Sequence, residues 1–503
     1  MTTRKRAAAH WIDKAITVCL FLFAAAAPHS IAATQIAWLV GMLLWAVRFA
    51  FYPVPILHRS PLDYALLGFF ILTGLSAFLS YEPMVSIGKL RAASLFTIVY
   101  LFAQNIPSRR VLGLLALTLI GSCLLNVLYT AGQRIIGRGV KIQNLKVEGP
   151  LYAAGVRVGD TLLEINGQKV NKPEDLMNVL ALPDHQPAAV KAYRHELLPV
   201  FKVERGKLLA GSTALERLGI QDWSRGRDWR AAGFYGHYVS YSEALQLILA
   251  LTVGLFVSLP LKRSFAGTLF LVAIAGLGCA LLLTVTRASW LASLLSSAVI
   301  LLLGTSRRTV LTLGSLVIPL ILAGLFILQQ KRDVAFFDQK DDSTTWRTTV
   351  WREGADLMAR NPRHLLVGIG MDSIKGHWRE WGMFDGGRLP VGHMHSNLLQ
   401  LALERGVPAL CLWLILLGLY ARMLLKLTRR ARDVNDRGSA GQLQTDHRVH
   451  SWMERGIALG ALGGLIGFFA SGLVHYNWGD SEVVMIFYFT MGLSVALNRR
   501  HSD

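Results

Sequence analysis

Cysteine is scarce in this chain of 503 residues, and its placement says more than its number. Cys19, Cys123, Cys279 and Cys411 all fall inside apolar blocks, none in a polar segment. That excludes a disulfide framework and a Cys-based zinc site. Acidic residues are also few, 32 against 52 Lys and Arg, for a formal net charge of +20. No internal repeat or low-complexity tract is present. No His-Glu-x-x-His string sets two metal ligands on one helix face. The nearest string, His195-Glu196-Leu197-Leu198-Pro199, carries Pro where the second His is needed, which removes intramembrane metalloprotease chemistry. No cleavable leader is evident, and the first apolar block is expected to be a first span.

What the chain has in abundance is apolar residues, 53% of the total, with positive mean hydropathy. They come in blocks of about 17–25 between charged joints, the length that crosses a bilayer as a helix. The pattern predicts a polytopic α-helical membrane protein with about 12 transmembrane helices. The spans are expected at 15–28, 31–50, 62–80, 90–104, 111–131, 239–259, 265–285, 288–304, 309–329, 396–425, 456–475 and 481–497. The first and fourth are the weakest, the fourth because Lys89 and Arg91 stand at its start. Lys and Arg mark alternate joints: Arg4 to Arg6, Arg48 and Arg59, Arg109 and Arg110, Lys262 and Arg263, Arg307 and Arg308, Arg429 to Arg432, Arg499 and Arg500. These joints belong inside, so both termini are expected to be cytoplasmic. The positive charge is then topological, and nucleic-acid binding is not implied.

Two polar insertions on the outer side interrupt the spans. In the first, about 132–238, Gly159-Asp160 introduces a strand at Thr161–Ile165, and Asn166-Gly167 is a tight-turn pair. Pro173 opens a helix at 173–182, and 188–194 and 198–204 read as strands. The run Gly149-Pro150-Leu151-Tyr152-Ala153-Ala154-Gly155-Val156-Arg157-Val158-Gly159-Asp160 through Asn166-Gly167 resembles a bacterial PDZ domain over about 137–205, with Leu151 where small Ala is usual. The resemblance implies a small α+β PDZ-like periplasmic domain with a peptide groove at Gly137, Gly139 and Val140, which would bind a protein C-terminus by strand addition. An idle groove in a spacer or assembly module fits the pattern equally. Segment 206–238, with Trp223, Arg225, Arg227, Trp229 and Arg230, reads as an interfacial linker. The chain is thus expected to divide at 1–136, 137–205, 206–238, 239–329, 330–395 and 396–503.

The second insertion, about 330–395, contains a predicted amphipathic helix at Thr344–Met358, with Trp346, Val350, Trp351, Leu357 and Met358 on one side. It leads into His395-Ser396-Asn397-Leu398-Leu399-Gln400-Leu401-Ala402-Leu403-Glu404-Arg405-Gly406. Upstream, Arg287 interrupts an apolar run too long for one span; a charge there belongs at a helix junction or a polar cavity. A snorkelling Arg at the membrane surface would give the same pattern. Three strings resemble the O-antigen ligase and O-antigen polymerase superfamily: Thr286-Arg287-Ala288-Ser289-Trp290, Arg347 four residues before Trp351, and His395-Ser396-x9-Gly406. Residues 230–237, Arg230 to His237, are similar to the loop before that family's middle spans, which adds both residues as minor candidates.

The resemblance implies a GT-C-like, inverting, metal-independent membrane glycosyltransferase without cofactor. Its donor would be a glycan on undecaprenyl diphosphate, its acceptor lipid A–core, another glycan or a protein hydroxyl. Arg287, Arg347 and His395 would be catalytic, with Arg287, Arg347, Arg352, Arg230 and Arg91 binding the anionic substrate. Two Arg forks suit a diphosphate, and a neutral His suits proton abstraction. Spacing favours His395 over His393. The rival chemistry, a metal held by His393, His395, His377, Asp372 and Asp385, has no strong ligand spacing. Asp341-Asp342 is a weak sign of a divalent-cation glycosyltransferase. A transporter or flippase shares the spans, but no acidic pair set for ion coupling is apparent within them.

Overall fold

The computed structural model describes residues 2–182, 184, 186–194, 198–312, 314–315, 342–438 and 445–500. Most of the expected span 309–329 lies outside them, as do Asp341 and the His195–Leu197 string. Among the described residues, ten helices are long and apolar enough to cross a membrane. They are Arg6–Ala26, Ile31–Arg48, Pro83–Asn105, Arg109–Ile136, Tyr238–Ser258, Phe265–Leu283, Arg287–Gly304, Val407–Arg430, Ser451–Gly472 and Ser481–Arg500. Asp63–Phe78 is a further, shorter apolar helix. Leu39, Leu43, Leu67, Ile71, Leu128 and Val272 stand exposed on these helices, apolar surface that water would not tolerate and lipid does. The chain is a multi-pass membrane protein.

Contacts divide the chain into two compact units. The first comprises Met1–Leu124, Phe234–Leu281 and Thr286–Asp503; the second is Leu125–Gly233 with Leu282–Val285. Helix Arg109–Ile136 runs from one into the other.

In the first unit, Tyr238–Ser258, Ser451–Gly472 and Ser481–Arg500 are the most deeply buried helices. The first two touch backbone to backbone. A Cβ on Gly456 would strike the Cα of Leu255, and one on Gly460 the Cα of Leu251, so glycine at this four-residue spacing lets the axes close. Two expected spans differ in shape from the hydropathy reading. Pro83–Asn105 is jointed, running as Pro83–Gly88, Leu90–Ala93, a 3-10 turn at Ser94–Phe96, and Thr97–Asn105. The block expected as one span at 396–425 is two helices, Asn397–Arg405 and Val407–Gly438. Gly406 between them takes φ +83, which ends a helix, and Pro408 follows in the first turn of the next.

The second unit is built on an antiparallel sheet: β1 (Arg138–Leu145), β2 (Thr161–Ile165), β3 (Gln168–Lys169), β4 (Ala188–Tyr193), β5 (Val200–Val203) and β6 (Ile220–Gly226). The spatial order is β5-β4-β2-β1-β6, with β3 paired to β2. Asn166 and Gly167, at φ +50 and +80, make the left-handed two-residue turn that closes β2 onto β3. Asp160 is buried; both its oxygens accept from Arg194, at 2.6 Å each, and one accepts from Arg157 N at 2.8 Å. Helix Pro173–Leu180 covers a core of Val140, Leu162, Leu176, Val190 and their neighbours.

Two expectations are corrected here. Residues 206–238 are not simply a linker, since helix Ala214–Leu218 and β6 belong to this sheet, with Leu218 and Ile220 in its core. The expected groove at Gly137, Gly139 and Val140 has no free strand edge. Gly139 and Val140 lie on β1, which pairs β2 through Val140↔Leu162 and β6 from Arg138↔Gly226 to Leu145↔Ile220. A peptide would have to displace the chain's own strand.

Candidate active site

Helix Asp342–Ala359 buries Val350 and Leu357 against Ile369, Met383, Met394 and Leu403. That face holds the loop before Asn397 in place. Trp351 Nε1 donates to the Met394 carbonyl at 2.7 Å, and Met394 N donates to Gln400 Oε1 at 2.6 Å. Between these two ties His395 is held at φ +47, a left-handed conformation unusual for a non-glycine residue. Its backbone N–H donates to Nδ1 of His393 at 3.2 Å, which fixes that ring as an acceptor at Nδ1. The two imidazoles lie 3.9 Å apart between centroids, and Trp346 meets His395 edge-on at 4.2 Å.

Burial first, then electrostatics from His393 and Arg347, push the His395 imidazole down to about 2. Burial and Lys375 push His393 down to about 4. Both rings are therefore neutral at pH 7. The same influences place Arg347 within electrostatic reach of His395, one helical turn from the anchoring Trp351. A cation within electrostatic reach of a neutral imidazole suits an anionic leaving group and a hydroxyl that must give up its proton.

His475, which sequence reasoning missed, and His237, a minor candidate from the sequence, act electrostatically on both histidines. His475 Nδ1 lies 2.9 Å from Glu243 Oε1 inside the helix cluster, and Ser240 donates to Asp480 at 2.9 Å. Asn397 donates to Asn477 Oδ1 at 2.6 Å and accepts from Trp478 N at 3.1 Å, tying loop 475–480 to the start of helix Asn397–Arg405. Burial and Glu243 raise Asp480 to about 7. Glu243 and Glu482 thus both act on Asp480, an acidic grouping at the ends of the spans that the sequence reading did not single out. The one available signal was Glu243 itself, an ionisable residue in an apolar helix.

The remaining candidates are placed as follows. Arg287 is half-buried and opens helix Arg287–Gly304, next to Ser289, which bonds Ser242 of helix Tyr238–Ser258 at 2.8 Å. Before it, Val285 takes φ +52, a strained turn for a β-branched residue that splits the long apolar run. Arg352 and Arg91 are solvent-exposed, and no described contact joins either to the histidine pair. Arg230 is half-buried in the second unit. The rival metal ligands are engaged elsewhere: His377 with Glu82 at 3.2 Å and Glu380 at 2.9 Å, Asp372 with Lys89 at 2.6 Å and Lys375 at 3.1 Å.

Residues 269–414 match the family model described as O-Antigen ligase. The matched stretch contains Arg287, Arg347, His395 and Gly406 but stops before the 475–480 loop. No curated protein matches the chain. The match supports an O-antigen-ligase or polymerase type of function and a membrane glycosyltransferase-like enzyme acting on glycans at the bilayer.

Proposed function

We propose that the protein transfers a glycan from a polyprenyl diphosphate carrier to a hydroxyl acceptor, at the periplasmic face of the bacterial inner membrane. The observation that carries this reading is the buried histidine pair at His395, with Arg347 in electrostatic reach on the helix that Trp351 ties to the His395 loop, within the stretch matched to the ligase family. The neutral His395 imidazole takes the proton from the acceptor hydroxyl as its oxygen bonds to the anomeric carbon. The bond from that carbon to the diphosphate breaks, and the electron pair leaves with the diphosphate. Attack opposite the leaving group inverts the anomeric centre. Arg347, with Arg287, neutralises the departing charge.

A base held near pKa 2 is weak in the resting site. The bound dianion offsets Arg347 and strengthens it, so proton transfer is switched on by the donor. The inserted unit we read as PDZ-like in pattern, with an assembly role; the pairing of β1 with β6 argues against capture of a protein C-terminus.

The test is His395→Ala, Arg347→Ala and Arg287→Ala in cells and proteoliposomes. Each is expected to lower transfer by roughly 100-fold or more while the protein stays inserted. Lys at the Arg positions restores only part, because it lacks the fork. Carrier-linked glycan left at full length identifies a ligase, and glycan left as single repeats a polymerase. Full activity of His395→Ala rejects the assignment.

A further inference from the structure

Behind Tyr476, a cavity of about 110 Å³ opens among Lys89, Met371, Asp372, Glu404, Arg405 and Tyr476. That is several times the space one water needs. Tyr476 is the shared wall: its ring stands 5.6 Å from the His393 ring on one side, and its hydroxyl donates to Glu404 Oε2 at 3.4 Å.

Arg405 gives the cavity its character. The residue is 7% exposed, and its Nε and Nη1 find no acceptor among the described residues. Nη2 reaches only the Met371 sulfur, at 3.5 Å, and the guanidinium lies 5.3 Å from the centre of the Phe69 ring. A guanidinium brings five donors and keeps its charge, and buried donors without acceptors are costly. The nearby carboxyl groups are already engaged. Asp372 binds Lys89 and Lys375, and Glu404 Oε1 accepts from Asp372 N at 2.9 Å. Burial pushes the Glu404 carboxyl upward, toward its neutral form. Lys89 and Arg405 are the two cations of the lining, against the carboxyls of Asp372 and Glu404, and with Glu404 neutral the balance is positive, so the site favours an anion.

Beyond Lys89, the jointed segment Pro83–Asn105 gives the cavity an apolar part of its lining. Ala92, Ala93 and Leu95 line the cavity where that segment changes from helix to 3-10 turn. Irregular backbone within a membrane span is tolerated where it borders protein or a cavity rather than lipid. A charged end and an apolar wall suit a molecule with the same division.

We propose that this cavity is a second anion site, which takes the phosphoryl group of a membrane amphiphile against Arg405 and Lys89, with its hydrocarbon passing Ala92 and Ala93. The inference rests on the cavity and its side chains and stands apart from the transfer reading. An anionic phospholipid and a polyprenyl phosphate share this chemistry.

Native mass spectrometry of the full-length protein, titrated with phosphatidylglycerol, phosphatidylcholine, undecaprenyl phosphate or inorganic phosphate, tests it. Wild type is expected to retain one anionic lipid in preference to phosphatidylcholine. Arg405→Met should weaken that retention by roughly tenfold or more, with Arg405→Lys intermediate. Preference for undecaprenyl phosphate marks the site as a carrier subsite, and preference for phosphatidylglycerol as a bilayer-lipid site; both support the proposal. Lys89→Met, on a half-exposed side chain, and Ala93→Leu, which fills the apolar wall, should each weaken retention and keep the test open should Arg405→Met fail to fold. Unchanged retention in these variants, equal binding of phosphatidylcholine, or binding of inorganic phosphate alone overturns it.

Discussion

Gly406 offers the sharpest test of why the histidine motif ends in glycine. It closes helix Asn397–Arg405 at φ +83, donating its N–H to Ala402 O at 2.9 Å. A Cβ there would collide with the Leu366 carbonyl oxygen and lie 2.9 Å from Val367 N. The two backbones are in contact because segment 366–370 caps this helix end: Ile369 N donates to Leu403 O at 2.8 Å and Gly370 N to Glu404 O at 2.9 Å. Gly406→Ala must therefore accept a left-handed alanine, about 1–2 kcal/mol, and push the cap away. Losing those two hydrogen bonds adds about 1 kcal/mol each, for roughly 3–4 kcal/mol in all. Gly382→Ala is the control. It also ends a helix, at φ +64, but nothing lies within 4 Å of the added Cβ, so only the conformational term of about 1–2 kcal/mol applies. Unfolding in detergent, followed by tryptophan fluorescence, should show Gly406→Ala less stable than Gly382→Ala by about 2 kcal/mol, with transfer activity lost only in the former. Equal stability of the two variants, with activity kept, would refute the reasoning.

Cysteines introduced at Gln168 and Asp385 should react with an impermeant reagent from outside, and one at Gly438 should not; labelling at 438 would reverse the proposed orientation. The histidine pair makes a pH prediction. Both are depressed from 6.5, so their neutral forms stabilise the fold fully above 6.5, and that contribution fades as pH falls toward about 4 at His393 and about 2 at His395. The melting temperature should fall between pH 6.5 and 4.5, less steeply in His393→Asn; an identical slope would remove His393 from the explanation. Excising 137–205 would strand helix Ala214–Leu218 and β6 with Leu218 and Ile220 uncovered, whereas excising 137–226 removes the whole sheet. The shorter deletion should accumulate poorly and the longer one normally, and equal accumulation would contradict the placement of β6.

Local signals were legible wherever the local chain is the cause. Asn166-Gly167 turns because its own backbone favours positive φ, and the amphipathic face at Trp346, Val350 and Leu357 is the face that packs. The doubtful fourth span proved to be jointed at Lys89, where its charges had already weakened the apolar run. β6 was illegible because its partner is β1, some eighty residues earlier, and its Trp and Arg residues look the same in a belt as on a strand. The break at Gly406 was hidden for a similar reason: the apolar run is continuous, and the interruption comes from a carbonyl on a distant segment.

The same distinction runs through the site. The motif spacing singles out His395 and Arg347 as candidates but not what surrounds them, since 346–351, 393–400, 237–243 and 475–480 converge only through packing. The hydrogen bond from Trp351 to Met394 joins the helix of Arg347 to the loop of His395, and Asn397 joins that loop to Asn477 and Trp478. The depressed basicity of the histidines follows from this convergence, because it is made of burial and neighbouring cations, neither of which a linear spacing contains. On the proposed reading, a site assembled in this way keeps His395 unprotonated until an anionic donor binds beside Arg347, and the ties that hold the loop would govern the chemistry as directly as the histidine does.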